Sequence, residues 1–257
     1  MQIIDDNDIP FISPQPCALT IGSFDGLHLG HLSLLNHARS LLPKNGRLII
    51  YTFINHPTHV LSHIPPIPFI YTLEHKLKIL QENRVDYVIL STFTKELAQI
   101  PFDQFLQKLK KTLQFTHLVL GVGASFGKDR QGNESNVKQL ASSLDFQPVY
   151  VPKLHLNDET LSSGRIRALI AEAAFSHVAR YLGRPYSIYA PLLFKHEHYM
   201  QLNQHCLPPT GTYPIHIALE DKTYEGTAHI DRPAQRIRIH AKNAPPLPHT
   251  ALAEVFF

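Results

Sequence analysis

Residues 21–31 read IGSFDGLHLGH, and the fold is decided by what lies on either side of them. An apolar run, CALTIGSF at 17–24, ends there, and a helical pattern over 29–42 begins. Gly22 closes the strand and lets the backbone come close to a ligand. His28 and His31 stand at i and i+3 at the start of the helix, hence on one face. Helix N-termini attract phosphate through their N–H groups and macrodipole, and two imidazoles there can hydrogen-bond the oxygens of a transferring phosphoryl group. The plainer alternative is a turn followed by two surface histidines.

Working outward, the runs 47–53, 85–91, 116–122 and 148–154 read as further short buried strands. Helical patterns over 72–83, 103–113 and 135–144 alternate with them. Strand alternating with helix predicts a doubly wound, Rossmann-like α/β fold with a parallel sheet, whose ligands bind beyond the carboxyl ends of the strands. A last helix is expected from Ser162 to Leu182. After Gly183-Arg184-Pro185 the texture changes: residues 186–257 hold eight prolines, and short β-like runs such as TYPIHIAL replace the helices. The expected division is 1–184 for the α/β domain and 185–257 for a small β-barrel-like domain.

A net charge of +3 without any lysine or arginine block argues against a nucleic-acid partner and suits small phosphorylated ligands. The N-terminus, MQIIDDNDIP, has no signal-peptide pattern, and no apolar run reaches membrane-span length, so a cytoplasmic protein without a membrane partner is expected. Cys17 and Cys206 imply no disulfide framework. His56, His59 and His63, or His196 and His198, invite a metal reading, but no matching cysteine, carboxylate or H-E-x-x-H set accompanies them. No protein-held metal is expected.

The segment Gly22-x-Phe24-Asp25-Gly26-x-His28-x-Gly30-His31 resembles the G-x-F-D-G-x-H-x-G-H signature of the bacterial FAD synthetase family, whose members usually also carry riboflavin kinase. Thr52-Phe53-Ile54-Asn55-His56-Pro57 resembles its T-F-x-P-H-P segment. Gly127, Lys128 and Gly132 resemble the end of its D/N-F-x-F-G-K loop, and Leu161–Arg167 is similar to its I-S-S-T-x-I-R. Tyr181–Tyr186 matches its L-G-R-P-Y junction.

The resemblance implies adenylyl transfer from ATP to FMN, giving FAD and pyrophosphate, with Mg²⁺ bridging the phosphates. It implies catalytic roles for His28, His31 and Arg167. Gly22, Ser23, Phe24, Asp25, Gly30, Ser162 and Ser163 would seat ATP, and His56, Pro57, Gly121 and Phe126 would form the flavin and phosphate loops. A serine-capped helix start beside a guanidinium is by itself a good phosphate seat, the alternative being a plain cap with a solvated arginine.

The segments depart from the family pattern at several positions: Asn55 stands at the first proline of T-F-x-P-H-P, Gly123-Ala124 replaces Asp or Asn followed by Phe, and Gly164 replaces threonine. The second domain has no G-F-P-T-A-N segment, and Arg238-Ile239-His240 stands where the family's kinase glutamate is expected in E-V-H. It reads as a shortened riboflavin-kinase-like domain without kinase activity. The alternatives are a nucleotidyltransferase for another phosphorylated acceptor and a non-catalytic flavin- or nucleotide-binding protein.

Overall fold

The computed structural model describes residues 1–9, 15–61, 66–156, 159–195, 197–242 and 250–257. In chain order its first elements are β1 (Gln2–Asp5), β2 (Cys17–Ile21), α1 (Leu29–Ser40), β3 (Arg47–Phe53), α2 (Thr58–Leu61), α3 (Leu73–Glu82) and β4 (Tyr87–Ser91). Next come α4 (Lys95–Ala98), α5 (Phe102–Leu113), β5 (His117–Gly121), α6 (Glu134–Leu144), β6 (Gln147–Val151) and a small ribbon of β7 (His155–Leu156) and β8 (Glu159–Thr160). The chain ends with α7 (Ser163–Ala171), α8 (Phe175–Leu182), β9 (Ser187–Phe194), β10 (His198–Gln201), β11 (Gly211–Leu219), β12 (Lys222–Asp231), β13 (Arg236–Ala241) and β14 (Thr250–Phe256). Two compact units result. One contains Met1–Phe24, Gly30–Pro66 and Leu80–Thr160; the other contains Asp25–Leu29, Ile67–Ile79 and Leu161–Phe257.

The first unit is a six-stranded sheet in the order β1-β4-β3-β2-β5-β6, parallel throughout. Its inner strands are apolar runs because both faces are covered: Ala18–Thr20 of β2 and Leu48–Thr52 of β3 are fully buried. Helix α5 supplies part of that cover through Phe105, Leu106, Leu109 and Leu113, spaced at three and four residues, while Lys108 and Lys111 face outward. These side chains join Leu19, Ile49, Tyr51, Ile89, Leu118 and Leu120 in one core. The strand order reverses between β2 and β5, so the loops after Ile21 and Gly121 emerge on either side of a switch point, where open α/β sheets bind ligands. Strand β1 was not expected. Only Ile4 of its four residues is buried, too short an alternation to read as a strand.

The second unit centres on a closed antiparallel barrel in the order β10-β13-β12-β11-β14-β9. The C-terminal region, though short, thus completes a barrel of six strands. Its buried positions alternate along the strands and are apolar, with Ile188, Ala190 and Leu192 on β9, Ile215 and Ile217 on β11, and Ile237 and Ile239 on β13. The interior is therefore a packed core. Gly226 permits the closest strand approach, since a Cβ there would lie 2.3 Å from the His240 carbonyl oxygen.

Residues 67–79 pack in the same unit through polar contacts. Lys78 Nζ and Ser187 Oγ each lie 2.7 Å from a different oxygen of Glu254, and His75 Nε2 lies 3.5 Å from it. Thr72 Oγ1 donates to the Tyr189 carbonyl at 2.7 Å. The expected single helix from Ser162 to Leu182 is two helices, because Ala173 takes a left-handed φ of 54° between α7 and α8. The buried stripe of α7 is Ile166, Leu169 and Ile170, and that of α8 is Val178, Tyr181 and Leu182. In one continuous helix these stripes would diverge by about 120°, and the break lets both be buried.

Candidate functional site

The histidine loop, Asp25–Leu29, is built against α7, α8 and residues 67–72. Its backbone is unusual. Gly26 has φ +79°, and a Cβ on it would meet Ile70 Cδ1 at 2.9 Å, so glycine is required. Leu27, fully buried, has φ +38°, and Phe24 just before the loop has φ +48°. Left-handed non-glycine residues cost roughly 1–3 kcal/mol each and persist only where their surroundings impose them.

Those surroundings are specific. Ser163 Oγ donates to the Asp25 carbonyl at 2.9 Å. Arg184 Nη2 donates to the Gly26 carbonyl at 2.9 Å, and its Nη1 to the Leu27 carbonyl at 3.0 Å. The Asp25 side chain, 2% exposed, accepts the Ile70 N–H and meets Arg167 Nη2 at 2.5 Å. Arg167 Nε donates to the Pro68 carbonyl at 2.7 Å. Asp25 and Arg167, both read from the sequence as facing ATP, are thus bonded to each other. Ser162 caps α7, its Oγ accepting from Arg165 N at 3.3 Å.

His28 precedes the first residue of α1 and is 6% exposed. Burial, assisted by the positive charge of Arg184, lowers its pKa to about 4. The imidazole is therefore neutral at pH 7 and offers one N–H. Lys76 on α3 is also buried; desolvation lowers its ammonium to about 8, against the opposing charge of Asp25.

Within the first unit, His31 lies in the first turn of α1 with its ring edge-on to Phe24, centroids 5.3 Å apart. Gly30 stands beside it in the same turn. Gly22 N bonds the Tyr51 carbonyl, and Thr52 Oγ1 bonds the Ser23 carbonyl, which directs the chain leaving β2. A groove of about 510 Å³ opens among the strand ends. Ile21, Gly22, Ser23, Phe53, Pro57, Phe93, Leu97, Ala124 and Phe126 line it, so its wall is largely aromatic and aliphatic. Gly121 closes β5 at its edge, and Phe126 packs on Phe105, centroids 6.0 Å apart. His56 Nδ1 sits 2.7 Å from Thr58 Oγ1 and accepts the Thr58 N–H at 3.2 Å, which holds the ring in place through its Nδ1 side.

The structure thus gathers Asp25, His28, Ser162, Ser163 and Arg167 in one unit. It gathers Gly22, Ser23, Phe24, Gly30, His31, His56, Pro57, Gly121 and Phe126 in the other. His63 and His196 lie outside the described residues. Among the described residues no three His, Cys, Asp or Glu side chains converge as a metal site. Sequence reading assigned no task to Arg184 or to Ile70, and missed Phe93 and Leu97 in the groove wall. Each meets its partners only through the tertiary fold, so no spacing in the chain announces it.

A parallel sheet whose strand β2 runs on into the glycine-rich segment Gly22–His31 is in keeping with a nucleotidyltransferase. More narrowly, the chain belongs to the FAD synthetase family, whose model matches residues 12–165. It is similar to a FAD synthetase of Listeria monocytogenes, 29% identical over 226 residues that cover 88% of this chain and 91% of that protein. It is 26% identical to a bifunctional riboflavin kinase/FMN adenylyltransferase of Bacillus subtilis, covering 82% of this chain and 71% of that one. A solved structure from Streptococcus pneumoniae, described as a macrolide-efflux protein, shares the fold with a TM-score of 0.83 at 19% identity, covering 100% of this chain and 89% of that one.

Proposed function

We propose that this FAD synthetase joins AMP from ATP to FMN using the histidine loop, and that it leaves riboflavin unphosphorylated. A phosphate oxygen of FMN forms the new bond to the α-phosphorus as the bond to the β-phosphate oxygen breaks, and pyrophosphate leaves. With a second pKa of about 6 the FMN phosphate is largely a dianion at neutral pH, so no general base is needed. The protein's task is alignment and charge stabilisation. His28, neutral at pH 7, donates one hydrogen bond to the phosphates, and His31 serves the α-phosphate. The N–H groups of the first turn of α7 and the Arg167 guanidinium receive the pyrophosphate, while the aromatic groove holds the isoalloxazine. Asp25 is committed to Arg167 and the Ile70 N–H. Mg²⁺ therefore enters on the ATP phosphates rather than in a protein cage.

Residues 1–184 carry this activity, and 185–257 serve without kinase chemistry, in the cytoplasm and on small molecules alone. The barrel interior is filled by apolar side chains. Arg238, on β13 and 3.9 Å from Glu197, cannot act as a base. The observation that carries the reading is the intact loop from Gly22 to His31, with its buried neutral His28. Mass identification of the products from ATP, Mg²⁺ and either FMN or riboflavin tests it. FAD from FMN and no FMN from riboflavin are expected. Riboflavin phosphorylation at a comparable rate would overturn the second half of the proposal.

A further inference from the structure

Arg184 touches the histidine loop at two successive carbonyls, those of Gly26 and Leu27. Its guanidinium is itself held on other sides. Nη1 also donates to the Leu182 carbonyl at 3.0 Å, and the group lies 5.2 Å from the centroid of the Tyr71 ring. The loop it grips contains Gly26 and Leu27, both with left-handed φ. A backbone in that region relaxes unless its carbonyls are engaged. A planar fork meets the two carbonyls from two separate nitrogens at a fixed spacing, which lysine's single ammonium nitrogen does not reproduce.

We propose that Arg184 is a positioning residue for adenylyl transfer: it donates to the Gly26 and Leu27 carbonyls and so holds the strained loop in the conformation that presents His28 to the nucleotide. This rests on the reading of His28 as a phosphate-binding residue. Arg184 has a second effect on the same imidazole. Its charge adds to burial in keeping His28 neutral, so the ring acts as a single-proton donor rather than a fixed cation.

The test uses Arg184→Met and Arg184→Lys in the full chain. Steady-state FAD formation from ATP, Mg²⁺ and FMN is measured, together with an NMR titration of the His28 ring without substrate. Asp25, Arg167 and Lys76, the other charged groups gathered about the loop, are kept in both variants. Arg184→Met should lower kcat on the order of 10²-fold, the cost of a catalytic group misplaced by about 1 Å, with a much smaller change in the KM for ATP. Its His28 should titrate above 4, toward the ordinary histidine range, because the opposing charge is gone. Arg184→Lys should keep the low titration yet still lose turnover, since charge returns without the fork. Parental turnover in Arg184→Met overturns the assignment, and a His28 titration that stays near 4 in it overturns the second, electrostatic effect. If the methionine variant does not fold, Arg184→Lys decides: parental kcat overturns the proposal, and reduced kcat with an unmoved titration supports it. A parent that makes no FAD would instead overturn the functional reading, while the His28 shift is read without substrate.

Discussion

Arg167→Ala offers the sharpest test of how the histidine loop is held. The Asp25 carboxylate is 2% exposed and the Arg167 side chain 15%, so their 2.5 Å contact is shielded from water on both sides. Removing the guanidinium leaves the buried carboxylate with the Ile70 N–H and the charge of buried Lys76, and it also abolishes the bond to the Pro68 carbonyl. Breaking a buried pair from one side costs about 3–5 kcal/mol. Replacing both charges, as in Asp25→Asn with Arg167→Met, removes the pair whole and retains an acceptor for Ile70, while buried Lys76, deprived of the Asp25 charge, sheds its proton more readily, so the cost should fall to about 1–2 kcal/mol. The double variant should therefore be the more stable of the two. Arg167→Lys restores charge but not both contacts, and should fall between them. Urea unfolding followed by circular dichroism gives the three values. Hydrogen exchange across residues 67–79 should rise in Arg167→Ala and return toward normal in the double variant. If Arg167→Ala is no less stable than the double variant, the coupling does not exist and Arg167 is an ordinary helix residue.

His31→Ala should retain the fold and lose about 10²–10³ in the rate of FAD formation, the usual cost of one transition-state donor; near-normal turnover in a folded variant would remove His31 from the site. Acid should weaken the protein in two windows, read from urea midpoints against pH. Between pH 6.5 and about 4 the unfolded chain takes up a proton that buried His28 refuses, so stability falls with pH by on the order of 3 kcal/mol from this group, and His28→Gln should reduce that slope while the share from buried His75 and His205, also shifted down by desolvation, remains. Burial alone would raise the Glu254 pKa, but hydrogen bonds from His75, Lys78 and Ser187 outweigh it and bring the carboxyl to about 2, so its contribution holds above pH 4.5 and is lost as pH falls toward 2. Glu254→Gln should remove the lower window; a parent-like acid profile in that variant contradicts the assignment.

The parallel sheet was legible because its inner strands are apolar runs set between helices of period 3.6, and β2 to β6 lie where that pattern put them. The α7–α8 break was not, because AEAAF reads locally as good helix, and only the mismatch of two buried stripes forces Ala173 out of line. At the candidate site, residue types and spacing singled out His28 and His31 as candidates. What Asp25 does was hidden, since its partner Arg167 lies 142 positions along the chain and its second partner is a backbone N–H. The neutrality of His28 was equally hidden, because burial and the charge of Arg184 are properties of the folded unit.

The placement of Asp25–Leu29 in the same unit as Leu161–Phe257 has a consequence for synthesis on the ribosome. The histidine loop is made early, but Ser163, Arg167 and Arg184, the side chains that hold its strained backbone, are made more than a hundred residues later. At a translation rate of about 5–20 residues per second the loop waits roughly seven to thirty seconds for its holders. During that interval β2, β3 and β4 can already pair, since their partners are near in sequence. A ribosome stalled before residue 160 would thus carry a nascent sheet whose histidine loop still lacks its holders, and the loop would be fixed only once α7, α8 and Arg184 have emerged.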